Sequence, residues 1–299
     1  MEVSQFGKTV ENRSPAGTLA SIQVLDCGRA EQHWEHRYGS KAPQLWWVFF
    51  GRRWVELPIQ AFLIEHREGW ILFDTGINPA IQSESTYIKQ PMGQFLLPRI
   101  FRLHLTEANR IDHVLSRIGV SAKDIKKVII SHLHFDHVGG IAQMPQAELL
   151  ISKEEWEILS EPHPEREWIL REHIDIPNAN WRQISLEPTD NPLFEGFSGA
   201  HDIMGDGSMI LLPTPGHTKG SISMLVRRDG WHPILLVADL TYEASLLEKD
   251  QVPGTGDKAT LLASFANVRR LKERLPEMEI VASHDFTAKD ALARATQSD

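Results

Sequence analysis

Six residues near the middle of the chain, His132-Leu-His-Phe-Asp-His137, carry four side chains able to ligate a metal, and they follow directly on the apolar run Lys127-Val-Ile-Ile130. Such a run reads as a buried strand. The fold must therefore deliver this cluster to the tip of a sheet. In extended backbone, residues two apart point the same way, so His132 and His134 can face one cation together. A turn after them re-aims Asp136 and His137 toward a neighbouring cation. Gly139 and Gly140 follow at once and permit a tight path out of a crowded loop toward the next helix. A lone histidine is usually a packed structural residue, but four ligands at this spacing point to metal.

Three further ligand types lie at the ends of apolar strands, where loops gather to build sites in layered α/β proteins. His217 lies in Thr214-Pro-Gly-His-Thr-Lys-Gly220, between the strand-like runs Met209–Leu212 and Ile222–Val226. Asp239 closes the strand over Pro233–Val237, and His284 closes Glu279–Ala282. Taken singly, each has a bland reading as a turn residue, a helix cap or a surface histidine. Their order and their strand-end placement argue for one shared site. Upstream, Trp70-Ile-Leu-Phe73 runs into Asp74-Thr-Gly76 in the same manner.

The rest of the chain supplies a frame. Residues 1–17 are polar and aperiodic and read as a flexible arm, with one folded domain expected over 18–299. Strands are predicted at Leu19–Leu25, Gln44–Phe50 and Ile59–Ile64. The segment from Asn78 to Leu105 mixes prolines and glycine with apolar residues, and is expected to be a cap, a partner-facing loop, or irregular turns on the core. Helices are predicted over Ile111–Ile118, ended by Gly119; from Ser121 with Asp124 as a capping box; over Glu154–Leu159 and Glu165–His173; and over Leu261–Leu275, stopped by Pro276.

Composition narrows the function. With 41% hydrophobic and 24% charged residues among 299, the chain can bury a sizeable core. A net charge of -9 repels phosphate backbones, and the one dense basic cluster, Arg269, Arg270, Lys272 and Arg274, falls on the polar side of a helix. No nucleic-acid partner is expected. Cys27 is the only cysteine, which excludes an intrachain disulfide and a thiolate metal cage, and fits a reducing cytoplasm. No secretion signal and no run of about 18 apolar residues is found, so no membrane partner is expected either.

The pattern H-x-H-x-D-H, then a distant His, an Asp and a final His, resembles that of the metallo-β-lactamase superfamily, with all seven positions filled. The resemblance implies an α/β fold of the αββα sandwich type, with the site at one edge of two sheets. It also implies that His132, His134 and His217 hold one metal and Asp136, His137 and His284 a second, with Asp239 bridging and Asp74 orienting the ligands from behind. Without thiolates the donors suit zinc and would also accept iron, manganese or cobalt.

Within the superfamily the chain most resembles the N-acyl-homoserine lactone lactonases, the quorum-quenching enzymes. The resemblance rests on Ser131–His137 with Gly139-Gly140, Thr214-Pro-Gly-His217, Asp239-Leu-Thr-Tyr242 and Ser283-His-Asp285. It implies that Tyr242 donates to the lactone oxygens, that Asp136 shuttles a proton to the leaving alkoxide, and that Phe135 lines the substrate pocket; bland packing is the alternative for both rings. The implied reaction is ring opening by a hydroxide shared between the metals. The region bearing Trp34, Trp46, Trp47 and Trp54 is longer than in the compact lactonases, and is expected to shape an acyl pocket or a homodimer contact. Other lactones, such as a pyridoxine-derived one, a glyoxalase II-like thioesterase activity, or a metal-stabilised binding protein remain as rivals.

Overall fold

Side chains along the strands alternate between two cores, as the period of two in extended backbone requires. Ile71 and Phe73 enter the core between two sheets while Leu72 faces the opposite side; Phe62 and Ile64 alternate with Ala61 and Leu63 in the same way. A computed structural model describes residues 17–297. The expected N-terminal arm lies outside the described residues except for Gly17.

The first sheet comprises β1 (Leu19–His33), β2 (Trp54–His66), β3 (Gly69–Phe73), β4 (Phe101–His104), β5 (Ile125–Ile129), β6 (Glu148–Ser152) and β7 (Asn180–Ile184), in the order β4-β1-β2-β3-β5-β6-β7. The second comprises β8 (His201–Asp202), β9 (Met209–Pro213), β10 (Ile222–Val226), β11 (Ile234–Ala238) and β12 (Glu279–Ala282), in the order β12-β11-β10-β9-β8. Phe62, Phe73, Ile129 and Leu150 of the first sheet meet Leu211, Met224, Leu236 and Val281 of the second. On the far face of the second sheet, Leu212, Leu225, Leu235 and Val237 pack on Leu261, Phe265, Val268 and Leu271 of the helix Lys258–Arg274. Helix Ile111–Arg117 covers the far face of the first. The result is the αββα layering, with each fully buried Leu, Ile or Phe contributing about 1.5–3 kcal/mol.

Several elements differ from the sequence reading. Gln44–Phe50 is a helix, not a strand; Trp47 and Val48 are buried while Leu45, Trp46, Phe49 and Phe50 are exposed. A short apolar run fits either state, and here neighbouring elements decided it. Ser121 opens only a 3-10 turn, Ala122–Asp124, and accepts from the Lys123 amide, so the capping box does not form. The helix expected over Glu165–His173 breaks into Pro164–Glu167 and Arg171–Ile174, with Trp168 between them at φ 63°. Within 78–105 the chain forms the helix Pro91–Ile100 and β4, which together bring Ile100 and Phe101 inward. Among the described residues no helix is long and apolar enough to cross a membrane.

Candidate metal centre and substrate cavity

The seven ligand candidates converge from the strand tips of both sheets. The first sheet sends His132, His134, Asp136 and His137 past the end of β5, with His134 at the N-cap of the short helix Phe135–Val138. The second sends His217 from the β9–β10 loop, Asp239 from the end of β11 and His284 from beyond β12. Two non-glycine residues with positive φ, Asp74 at 62° and Ala238 at 46°, sit at these tips. Such backbone is costly and marks places the surrounding fold over-determines.

The geometry sorts the donors into three groups: His132, His134 and His217; His132, His137 and Asp239; and Asp136, His137 and His284. His132 Nε2 and His217 Nε2 each lie 3.0 Å from His134 Nδ1. Asp239 stands between the sets. Its Oδ1 is 3.2 Å from His137 Nε2 and 3.1 Å from His284 Nε2, while its Oδ2 is 3.4 Å from His217 Nε2. Asp136 Oδ2 is 3.5 Å from His284 Nε2.

Groups behind the ligands fix which nitrogen faces inward. Asp74 Oδ2 accepts from His137 Nδ1 at 2.8 Å and from Ser131 Oγ at 2.8 Å, and its Oδ1 accepts from the Ser131 amide. His284 Nδ1 donates to the Pro58 carbonyl at 2.8 Å. Each of these imidazoles therefore turns Nε2 to the centre, the arrangement by which outer partners orient metal ligands. Gly139 and Gly140 have ordinary negative φ, so their role is space, not flexibility. A Cβ on Gly139 would lie 2.3 Å from the Asn78 amide nitrogen, and one on Gly140 would lie 2.7 Å from the Thr75 carbonyl.

The donor set fits divalent cations. His137 Nε2 and Asp239 Oδ1 are buried without an aligned hydrogen bond, and imidazole nitrogens of His132, His134 and His217 approach one another to 3.0 Å. Burial, with neighbouring imidazoles, holds His132 well below its usual range; burial also holds His134 near 4 and His217 near 3, against the pull of Asp239. These rings are neutral, lone-pair-bearing ligands at neutral pH. Burial also opposes charge on His137 and His284, but Asp239 and its neighbouring carboxylates outweigh it and raise both.

A cavity of about 530 Å³ opens onto this centre. His134, Asp136, His217, Asp239 and His284 form its floor, and Leu57, Ile100, Phe101, Phe135 and Trp168 its apolar wall. Phe135 meets Phe101 and Trp168 edge to face, with centroids 5.9 and 6.1 Å apart. The break in the 165–173 helix is what turns Trp168 into this wall. Tyr242 is 3% exposed and its ring lies 5.4 Å from that of His284 and 6.4 Å from that of His217, so it borders both ligand sets. Its hydroxyl is 3.0 Å from His36 Nε2.

His36 escaped sequence reasoning, as did Gln32 and Trp168. His36 lies in Trp34-Glu-His-Arg-Tyr38, where no ligand spacing singles it out, and it reaches Tyr242 across 206 residues. Its ring is buried among Trp47, Phe101 and Tyr242. Burial, then the nearby His217, pushes it down to about 3, so it is neutral and carries one ring proton. Arg37 beside it donates to the His284 carbonyl at 2.9 Å and to the Glu56 carbonyl at 2.8 Å, tying the helix Trp34–Tyr38 to the site.

Over residues 54–284 the chain matches the Metallo-beta-lactamase superfamily. An N-acyl homoserine lactonase from a Bacillus species is 32% identical over 220 residues, covering 73% of this chain and 77% of that protein. The N-acyl homoserine lactonase AttM of Azorhizobium caulinodans is 26% identical, over 80% of this chain and 86% of its own. In fold, the chain is similar to an N-acyl homoserine lactone hydrolase solved with the product N-hexanoyl-L-homoserine at its catalytic metal center. The TM-score is 0.73 at 23% identity, covering 92% of this chain and 96% of that one. A dizinc quorum-quenching lactonase gives 0.58 at 19% identity, covering 90% and 88%. By its match, its layered fold and its convergent donors, the chain belongs to the metallo-β-lactamase superfamily.

Proposed function

We propose that residues 18–299 act as one catalytic unit, a two-metal hydrolase that opens the ring of N-acyl-homoserine lactones. The observation that carries this reading is the phenol of Tyr242, buried at the boundary of both ligand sets and bordering a cavity that has one apolar face, made by Leu57, Ile100, Phe101, Phe135 and Trp168. A lactone with a fatty acyl arm asks for those two surfaces together. The curated relatives bearing the name N-acyl homoserine lactonase support it.

In this reading His132, His134 and His217 hold one cation, Asp136, His137 and His284 the other, and Asp239 one oxygen toward each. Zinc suits the nitrogen-rich donors, with iron, manganese or cobalt as substitutes. When bound, such a pair activates a water and polarises the carbonyl under attack. Asp74 keeps the His137 proton on Nδ1 and so keeps Nε2 available. Burial, with the Asp239 and Asp136 carboxylates, raises the Tyr242 hydroxyl well above its usual value, so it stays protonated and acts as a donor. If His36 Nε2–H donates to the phenol oxygen, the phenolic proton is free for the ester as charge develops on it. Asp136 is the most open of the carboxylates, with 17% of its side chain exposed, and is placed to pass a proton to the departing alkoxide. Trp168, Phe135, Phe101 and Ile100 hold the acyl arm and exclude water. The buried Cys27 is compatible with a reducing cytoplasm.

Ring opening of a lactone near neutral pH yields a carboxylate and releases a proton, so titration at constant pH reads it directly. The metal-loaded protein should consume base with a panel of N-acyl-homoserine lactones and not with thioesters. Thioester cleavage alone, activity confined to an unrelated lactone, or silence across the panel would defeat the proposal.

A further inference from the structure

Gln32 stands in β1 opposite Val55 of β2 on one side and Phe101 of β4 on the other. Its side chain is fully buried and borders the cavity, and neither Nε2 nor Oε1 has a hydrogen-bond partner. A buried carboxamide without partners is costly, and pairing on both flanks denies the residue another register. Placed among Leu57, Ile100 and Phe101, it calls for a polar occupant of an otherwise apolar wall.

The position tells which part of a substrate that occupant is. His36 lies between Tyr242 and Phe101, with ring centroids 5.7 and 5.4 Å away, and Phe101 is the cross-strand neighbour of Gln32. Gln32 is thus linked to Tyr242 only through Phe101 and His36, and in the lactonase reading it stands beside the Phe101 wall that holds the acyl arm. A carboxamide both donates and accepts, so it suits a keto or a hydroxyl oxygen equally.

We propose that Gln32 hydrogen-bonds an oxygen carried on the acyl chain, so that the protein favours N-acyl-homoserine lactones bearing a keto or hydroxyl group close to the amide. The inference rests on the lactonase reading and adds the class of acyl chain to it. The test compares kcat/KM for an octanoyl-homoserine lactone and its β-keto counterpart, in the wild type, Gln32→Leu and Gln32→Met. The wild type should favour the keto substrate by about 10-fold, the worth of one hydrogen bond. Both variants should lose that preference through the keto substrate alone, leaving the octanoyl substrate within about 2-fold, since nothing unpaired is then created. Removing an unpaired amide should also leave the melting temperature equal or higher, which reports that each variant is folded. Equal rates on the two substrates in the wild type, or an equal decline on both in the variants, overturns the assignment of Gln32 while leaving the lactonase reading in place. Failure to open either ring overturns both.

Discussion

Asp239 presents one carboxylate oxygen to His137 and His284 and the other to His217, so a single substitution there reaches every ligand set. In Asp239→Asn one of these oxygens becomes an amide nitrogen with no lone pair for a cation. Changes to outer-shell partners of metal ligands already cost about 10–100-fold, so loss of the shared ligand should exceed about 100-fold in activity and leave both metals depleted. Tyr242→Phe separates chemistry from metal binding: it should keep both metals and lower kcat by about 100-fold, as loss of one preorganised donor does. Elemental analysis beside steady-state kinetics distinguishes the two, and an unimpaired Tyr242→Phe enzyme would remove the phenol from the mechanism. Tyr242 was singled out only through the lactonase resemblance, and the structure places its ring beside those of His284 and His217. His36 and Gln32 were not legible in the chain, since their relation to the site exists only once β1 and β4 are paired, and nothing in local spacing encodes it.

The short helix Lys153–Glu157 joins the two halves of the centre through one side chain. Glu155 accepts from the Leu133 amide at 2.9 Å, from Thr218 Oγ1 at 2.6 Å and from the Gly220 amide at 3.0 Å, so it clamps the His132–His134 segment to the His217 loop. Gly220 allows this approach, because a Cβ there would lie 2.0 Å from the Glu155 nitrogen. Burial pushes the Glu155 carboxyl up to about 7, against the pull of its donors Thr218, Leu133 and Gly220. In the unfolded chain the group titrates near 4.5. Between these values the unfolded chain has given up a proton that the fold retains, so this residue makes stability fall as pH rises across the window and then level off. The full difference is on the order of 3 kcal/mol. The metal-free Glu155→Gln protein should show a flatter melting temperature between about pH 5 and pH 7 than the metal-free wild type; an unaltered slope would assign the titration to another group. Neither Glu155 nor its role could be read from the chain, where it is one acid in a polar helix. By contrast β10 and β12 were legible residue by residue, because their apolar runs are bounded by turns. Gln44–Phe50 was not: its six-residue apolar run carries no period long enough to separate strand from helix, and packing of Trp47 and Val48 settles it.

Taken across the molecule, the centre is where the two sheets are joined at one edge. The first sheet supplies His132, His134, Asp136 and His137, the second His217, Asp239 and His284, and a backbone bond from the Ile222 amide to the Ser131 carbonyl at 3.1 Å joins the tips of the two sheets. In the proposed reading two cations gripped from both sides would act as cross-links between the halves of the sandwich, and the clustered imidazoles would lose their reason to converge once the cations left. Binding to the folded state alone stabilises by about 4 kcal/mol when free metal stands a thousand-fold above its dissociation constant. In a protein of this size that corresponds to a melting shift of roughly 6 °C for each cation. Exhaustive chelation should lower the calorimetric midpoint by that order, and zinc should restore it in the wild type and in Tyr242→Phe but not in Asp239→Asn. A midpoint unchanged after removal of metal is verified by elemental analysis would mean that the sheets are held together without the cations, and that these seven side chains do not cross-link them.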